Sequence, residues 1–196
     1  MRSLWGGRAV MDRWDDREKA WDDEEKAFEL NDEGVDFFEQ GKFAEALTCF
    51  NALVLSNPED EDAWGHKGLS LLYLDCHEEA IRCFDQAISL NPQHDGAWNW
   101  KGMSLVCTEH YEEAIRCFDR AISLNPQHDG AWYNKGTVKL KLENYEESLT
   151  CYEKSITINS NCSDCWHKKG VVLEELGKNE EATSCFDKSI KLKKNR

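Results

Sequence analysis

An all-α array of stacked 34-residue helix-turn-helix units is the fold class the sequence predicts, on three observations. The first is a near duplication: Glu78 to Trp98 reads EEAIRCFDQAISLNPQHDGAW and Glu112 to Trp132 reads EEAIRCFDRAISLNPQHDGAW, differing only at Gln86 and Arg120. The second is that the same shift of 34 separates Trp64, Trp98, Trp132 and Trp166, and also Pro58, Pro92 and Pro126. The third is helical spacing inside a unit: Trp98, Gly102 and Leu105 fall at i, i+4 and i+7, and Ala114, Phe118, Ala121 and Ile122 at i, i+4, i+7 and i+8. A copy at fixed period means that one supersecondary unit is stacked on itself, so the chain is read as an elongated array.

Taken in order, residues 1–9 carry Gly6 and Gly7 with no periodicity and are expected to be a disordered extension. Residues 10–26 are expected to form an acidic amphipathic helix, because Trp14, Trp21, Phe28 and Val35 recur every seven residues without Gly or Pro before Gly34. That helix is expected to run on into the first unit. Units follow at 27–60, 61–94, 95–128, 129–162 and 163–196, with no insertion. Within each, two amphipathic helices are joined by a short polar turn such as Thr108, Glu109 and His110, which makes them antiparallel neighbours. Glu112 and Glu113 suit the positive end of the second helix's dipole, and Pro126 ends the unit while biasing Asn125 out of the α region.

With Trp, Gly and Leu in the first helix, Ala, Phe and Ala in the second and a closing Pro, the unit resembles the tetratricopeptide repeat (TPR). The residues carrying the likeness are Trp64, Gly68, Leu71, Ala80, Phe84, Ala87 and Pro92, then Trp98, Gly102, Leu105, Tyr111, Ala114, Phe118, Ala121 and Pro126. The resemblance implies a right-handed superhelical solenoid of five repeats and a role in binding other proteins. Leu30 and Leu53 depart from the pattern in the first unit, and Ser148, Tyr152, Ser155 and Ser160 in the fourth; their sizes predict local repacking. The outer face of the final helix is expected to be solvated by Ser184, Asp187, Lys188 and Lys191 or covered by a neighbour.

Composition bounds the function. Hydrophobic residues make up 40% and charged residues 32%, a balance that supports a packed, soluble chain. There is no apolar run of membrane-spanning length and no secretory leader, so the expectation is a cytoplasmic protein with no membrane partner. The formal net charge of −14 is unevenly spread: residues 12–62 hold 18 acidic and 5 basic residues, residues 163–196 hold 6 and 8. Phosphate backbones need clustered Lys and Arg, so no nucleic acid is expected. Of nine cysteines, Cys49, Cys83, Cys117, Cys151 and Cys185 recur every 34 residues and are expected to pack as small apolar groups. Helices of adjacent units stack about 10 Å apart, too far for disulfides or shared metal ligation. Cys162 and Cys165 form a lone C-x-x-C whose spacing permits a disulfide on oxidation and is weak evidence for zinc or catalytic redox. No metal and no cofactor is expected. The chain lacks a phosphate loop, a zinc-protease motif and a nucleophile elbow, so it is not expected to be an enzyme.

About 160° around each first helix from the core stripe lies a second stripe, and the resemblance places it on the concave face of the superhelix. It offers Phe28, Phe38, Leu69, Leu72, Tyr73, Trp100, Met103 and Tyr133, interleaved with Asn31, His66, Asn99, Asn134, Thr137 and Lys168. Aromatic and Met side chains beside Asn suit a partner peptide or helix, of basic character with apolar anchors given the acidic head. Some family members clamp a C-terminal carboxylate with Lys and Asn on this face; here only Asn134 and Lys168 stand at matching places, so that ligand is not expected. The alternative function is self-assembly into a homo-oligomer through Trp14 and Trp21 and the uncapped last helix. A lone helix cannot bury two Trp; it pairs with another chain or folds back as a cap on the first unit.

Overall fold

Residues 25–194 are described by the computed structural model, and the expected extension at 1–9, Trp14, Trp21 and all but the last two residues of the helix expected over 10–26 lie outside them. Among the described residues there are ten α-helices and no strand. Helix α1 covers residues 25–39. It is followed by α2 (Phe43–Ser56), α3 (Glu61–Tyr73), α4 (His77–Leu90), α5 (Asp95–Cys107), α6 (Tyr111–Leu124), α7 (Asp129–Lys141), α8 (Tyr145–Ile158), α9 (Ser163–Glu175) and α10 (Asn179–Lys194). Among the described residues no helix is long and apolar enough to cross a membrane.

Two kinds of corner alternate. Between α3 and α4, α5 and α6, and α7 and α8, the chain reverses through a residue in the left-handed region: Asp75, Glu109 and Glu143, with φ of 59°, 62° and 60°. Gly41 and Gly177 hold the same register at the first and last such turns, where a positive φ costs Gly nothing. The other corner follows the even-numbered helices, where Asn57, Asn91, Asn125 and Asn159 leave the helical region. Each Asn Oδ1 accepts the N–H two residues on, at 3.0–3.2 Å. Three of the amides also reach back 30 residues to the start of an odd-numbered helix, Asn91 donating to Glu61, Asn125 to Asp95 and Asn159 to Asp129.

The tryptophans explain why Trp and Pro keep the same period. Trp64, Trp98 and Trp132 each donate their indole N–H to the carbonyl of the preceding Pro58, Pro92 or Pro126, at 2.9, 3.2 and 3.2 Å. The acceptor is main chain, so Ser160 serves Trp166 as well, at 3.0 Å. These indoles are half-buried clamps between successive units and not the centre of the core.

That centre is a ring on each even-numbered helix from α2 to α8: Phe50, Phe84, Phe118 and Tyr152 are 0% exposed. The rings lie against Gly34, Gly68, Gly102 and Gly136 of the odd-numbered helices, which lets the two backbones approach closely. Tyr152 fills the Phe slot because its hydroxyl finds Thr137 Oγ1 at 3.1 Å, while Ser148 donates to the Gly136 carbonyl at 2.8 Å. Burial pushes the Tyr152 phenol up to about 12. The cysteine ladder is buried as expected, and burial raises its thiols, Cys117 to about 11. Ser184, Asp187, Lys188 and Lys191 of α10 are exposed.

Candidate functional site

Helices α4, α6 and α8 each pack between their own partner and the next odd-numbered helix, and α2 packs against α3. Odd-numbered helices also touch each other, α3 with α5, α5 with α7 and α7 with α9, whereas among the described residues no even-numbered helix contacts the next to a comparable extent. A row whose odd-numbered members lie closer together curves with them on the inside. The residues expected to face a partner all belong to α1, α3, α5, α7 and α9, the inner layer.

All but Phe28, Asn31 and Lys168 separate into three groups. Phe38 and Tyr73 meet Phe43 of α2 near the helix reversals, with Phe43 and Tyr73 stacked at 4.7 Å and Phe38 edge-on to both at 5.2 and 5.4 Å. Tyr73 remains 52% exposed there.

A second group fills gaps between units. Trp100 closes over Gly65 and Gly96, whose absent Cβ atoms would meet its ring at 3.1 and 3.2 Å, and it sits edge-on to His94. His66 stacks on Phe50 at 5.0 Å with its Nδ1 buried and unpaired, Leu69 packs on the core around Phe84, and Tyr133 lies against Tyr152 at 5.8 Å. Burial lowers the His66 pKa, with His94 acting in the same direction and Asp62 and Asp60 opposing. The fold therefore binds the His66 proton less well than the unfolded chain does. Its contribution to stability is complete above the ordinary value near pH 6.5 and is lost as pH falls through the depressed folded-state value. The urea midpoint is expected to drop more between pH 7 and pH 5.5 in the wild type than in His66→Gln; equal drops would exclude His66 as the source.

The third group surrounds an apolar cavity of about 200 Å³. Met103, Asn134 and Thr137 line it together with Leu72, Val106, Cys107, Phe118 and Val138. Asn99, 5% exposed, is sealed beneath Asn134, which donates to its Oδ1 at 3.0 Å, and its own amide faces Met103 Sδ at 3.8 Å. Val106 and Cys107 are absent from the residues expected from sequence. They follow the Met103 stripe by one turn, and their register matches Leu72 and Tyr73, a signal the periodicity does contain. Phe28 is 67% exposed on α1 and Lys168 half-buried on α9, both on helices that contribute nothing to the cavity wall. Asn31, also on α1, is half-buried. Carboxylates stand at both ends of the inner helices: Asp62 and Asp164 at their starts, Asp75 and Glu109 at their reversals. Burial, with Asp75 nearby, raises the Cys107 thiol.

His94 and His128 are accounted for as helix caps, accepting the N–H of Ala97 and Ala131 through Nδ1 at 3.3 and 3.2 Å. Among the described residues no group of three His, Cys, Asp or Glu could hold a metal ion.

Helix pairs repeated at a fixed interval, stacked side by side with one helix of each pair lining an inner face, define an all-helical solenoid. Tetratricopeptide repeat profiles match residues 31–74, 61–94, 96–128, 130–162 and 163–196, and the chain belongs to the tetratricopeptide repeat family. Solved structures share the fold at low identity. A crystal structure of MamA is 21% identical, covers 83% of this chain and 95% of its own, and superposes with a TM-score of 0.72. MamA 41-end from Desulfovibrio magneticus RS-1 is 20% identical over 87% and 97%, with a TM-score of 0.73. TTC0263, a thermophilic TPR protein in Thermus thermophilus, is 16% identical over 85% and 91%, with a TM-score of 0.74. No curated protein is matched by sequence.

Proposed function

We propose that this protein-interaction scaffold consists of five repeats, over 27–60, 61–94, 95–128, 129–162 and 163–196, and holds a peptide or helix of a partner protein along its inner face. The observation that carries this reading is the cavity itself, an apolar hollow shared by three successive inner helices, α3, α5 and α7. No single unit builds it, so it exists only in the stacked array. Its size suits one large apolar side chain, and the carboxylates at both ends of the inner helices favour basic residues on either side of that anchor. Trp100 and Tyr133 act mainly as packing beneath the surface, because their rings are engaged with Gly65, Gly96 and Tyr152.

Cys107 supplies a probe that leaves the core intact, since it is exposed and lies on the cavity wall. Short random peptides displayed on phage are selected on the intact chain carrying Cys76→Ser, then synthesised with a fluorophore for anisotropy titration. The recovered peptides are expected to place Leu, Phe or Met beside Lys or Arg. Alkylating Cys107 with N-cyclohexylmaleimide is expected to weaken them about tenfold, or roughly 1.4 kcal/mol. Unchanged affinity after complete alkylation would locate binding elsewhere.

A further inference from the structure

We propose that Cys162 and Cys165 form a reversible dithiol–disulfide site for low-molecular-weight disulfides such as oxidised glutathione, with Cys162 attacking and Cys165 resolving. The pair is joined in the structure, with Cα atoms 5.3 Å apart. Helix register makes that proximity independent of oxidation. Cys162 is the cap of α9 and Cys165 the third residue beyond it, the places held by Asp60 and Ala63, His94 and Ala97, and His128 and Ala131 in the preceding units. In those units the cap side chain already reaches the third residue's N–H, at 2.9, 3.3 and 3.2 Å, as Cys162 Sγ does at 3.2 Å.

Two further features separate the pair from a chance neighbourhood. Cys165 is 1% exposed whereas Cys162 is only half-buried, so one sulfur is open to a reagent and the other is held behind it. Ser155, 0% exposed, places its hydroxyl 3.2 Å from Cys165 Sγ, and it stands where the preceding units carry Leu53, Ala87 and Ala121. A buried hydroxyl costs free energy unless it is paired, and here its partner is the sulfur. Cys162 lies at the positive end of α9, and its Sγ accepts the Cys165 N–H in the joined pair, a position in which the helix dipole favours the thiolate once the bond is reduced.

The exchange runs in two displacements. The Cys162 thiolate attacks one sulfur of oxidised glutathione, the glutathione S–S bond breaks, and the departing glutathione thiolate takes up the proton that Cys162 released. Cys165 then loses its proton and attacks Cys162 Sγ; the mixed disulfide breaks and the second glutathione leaves as the thiol. Two protein thiols are oxidised and one oxidised glutathione becomes two reduced ones. Excess reduced glutathione reverses both steps, and the short loop closed by the bond lets it open without unfolding the array.

The full chain carrying Cys76→Ser and Cys107→Ser is equilibrated in glutathione buffers of increasing oxidised fraction, quenched with acid and alkylated with maleimide, and its thiols are counted by intact mass after denaturation. Two thiols are expected to disappear together with no glutathione retained, and to return in reducing buffer. Cys165→Ser is expected to retain one glutathione, on Cys162, and Cys162→Ser to react at least tenfold more slowly. The proposal is overturned if the pair stays alkylatable in the most oxidising buffer, if the bond fails to reopen while the protein remains folded, or if the two single variants trap glutathione equally.

Discussion

Phe118→Ala is expected to lower stability by about 3–5 kcal/mol, the range for removing a buried aromatic ring from a close-packed site. The Phe118 ring is 0% exposed and rests on α5 at Gly102, so its loss removes the contact that sets the distance between α5 and α6. It also lines the apolar cavity beside Leu72, Met103 and Val138, so the vacated space enlarges that hollow. For a chain of this length the melting temperature should fall by roughly 6–20 °C. Leu55→Ala is the matched control, because Leu55 is 81% exposed and its loss should lie within about 0.5 kcal/mol of neutral. Urea unfolding followed by circular dichroism measures both. In a stacked array each unit contacts only its neighbours, so hydrogen exchange should rise most in α5 and α6. A Phe118→Ala loss no larger than that of Leu55→Ala would show that the ring ladder does not hold the paired helices of each unit together.

The period, the helix pairs and the ring ladder are legible in the sequence because each depends on residues that recur at one spacing. Phe84 and Phe118, Gly68 and Gly102, and the buried cysteines all repeat 34 apart, and periodic burial leaves a periodic trace. The inner face is only partly legible. Its stripe follows from helix geometry, but which members stay open depends on neighbours in other units. Trp100 is half-buried and also packs on Gly65 and Gly96, which make room for its ring, and the Asn99 carbonyl oxygen accepts from Asn134. Two glycines at the same face of successive helices are the available signal for the first. The cavity draws on α3, α5 and α7, and no single period displays a wall shared by residues as far as 66 apart, such as Leu72 and Val138. The clamp made by Trp98 is not legible for a related reason: its indole partner is a main-chain carbonyl, which side-chain patterns do not show.

Gly68→Ala should destabilise the protein by about 1–3 kcal/mol, although Ala is the better helix former by about 1 kcal/mol. An added Cβ at Gly68 would stand 2.5 Å from Phe84 Cε1 and 2.8 Å from Cδ1, and Phe84 is 0% exposed, so the ring has no free direction in which to yield. Overpacking therefore outweighs propensity. At Gly136 the balance differs. Ser148 stands where the second and third units carry Ala80 and Ala114, and its hydroxyl bond to the Gly136 carbonyl spaces α8 from α7. The nearest atoms to a Cβ there are Cys151 Cβ and Tyr152 Cε1, both at 3.1 Å. The overlap there is only a few tenths of an ångström, and the better helix propensity of Ala offsets part of it, so Gly136→Ala should cost clearly less than Gly68→Ala. Urea midpoints of the two variants test the ordering, and equal losses would show that ring proximity does not govern these positions. The double variant Gly68→Ala with Phe84→Leu isolates the cause. A smaller, flexible side chain relieves the clash, so the pair should be less destabilised than the sum of its single changes, and strict additivity would mean that the Ala methyl and the Phe84 ring never met.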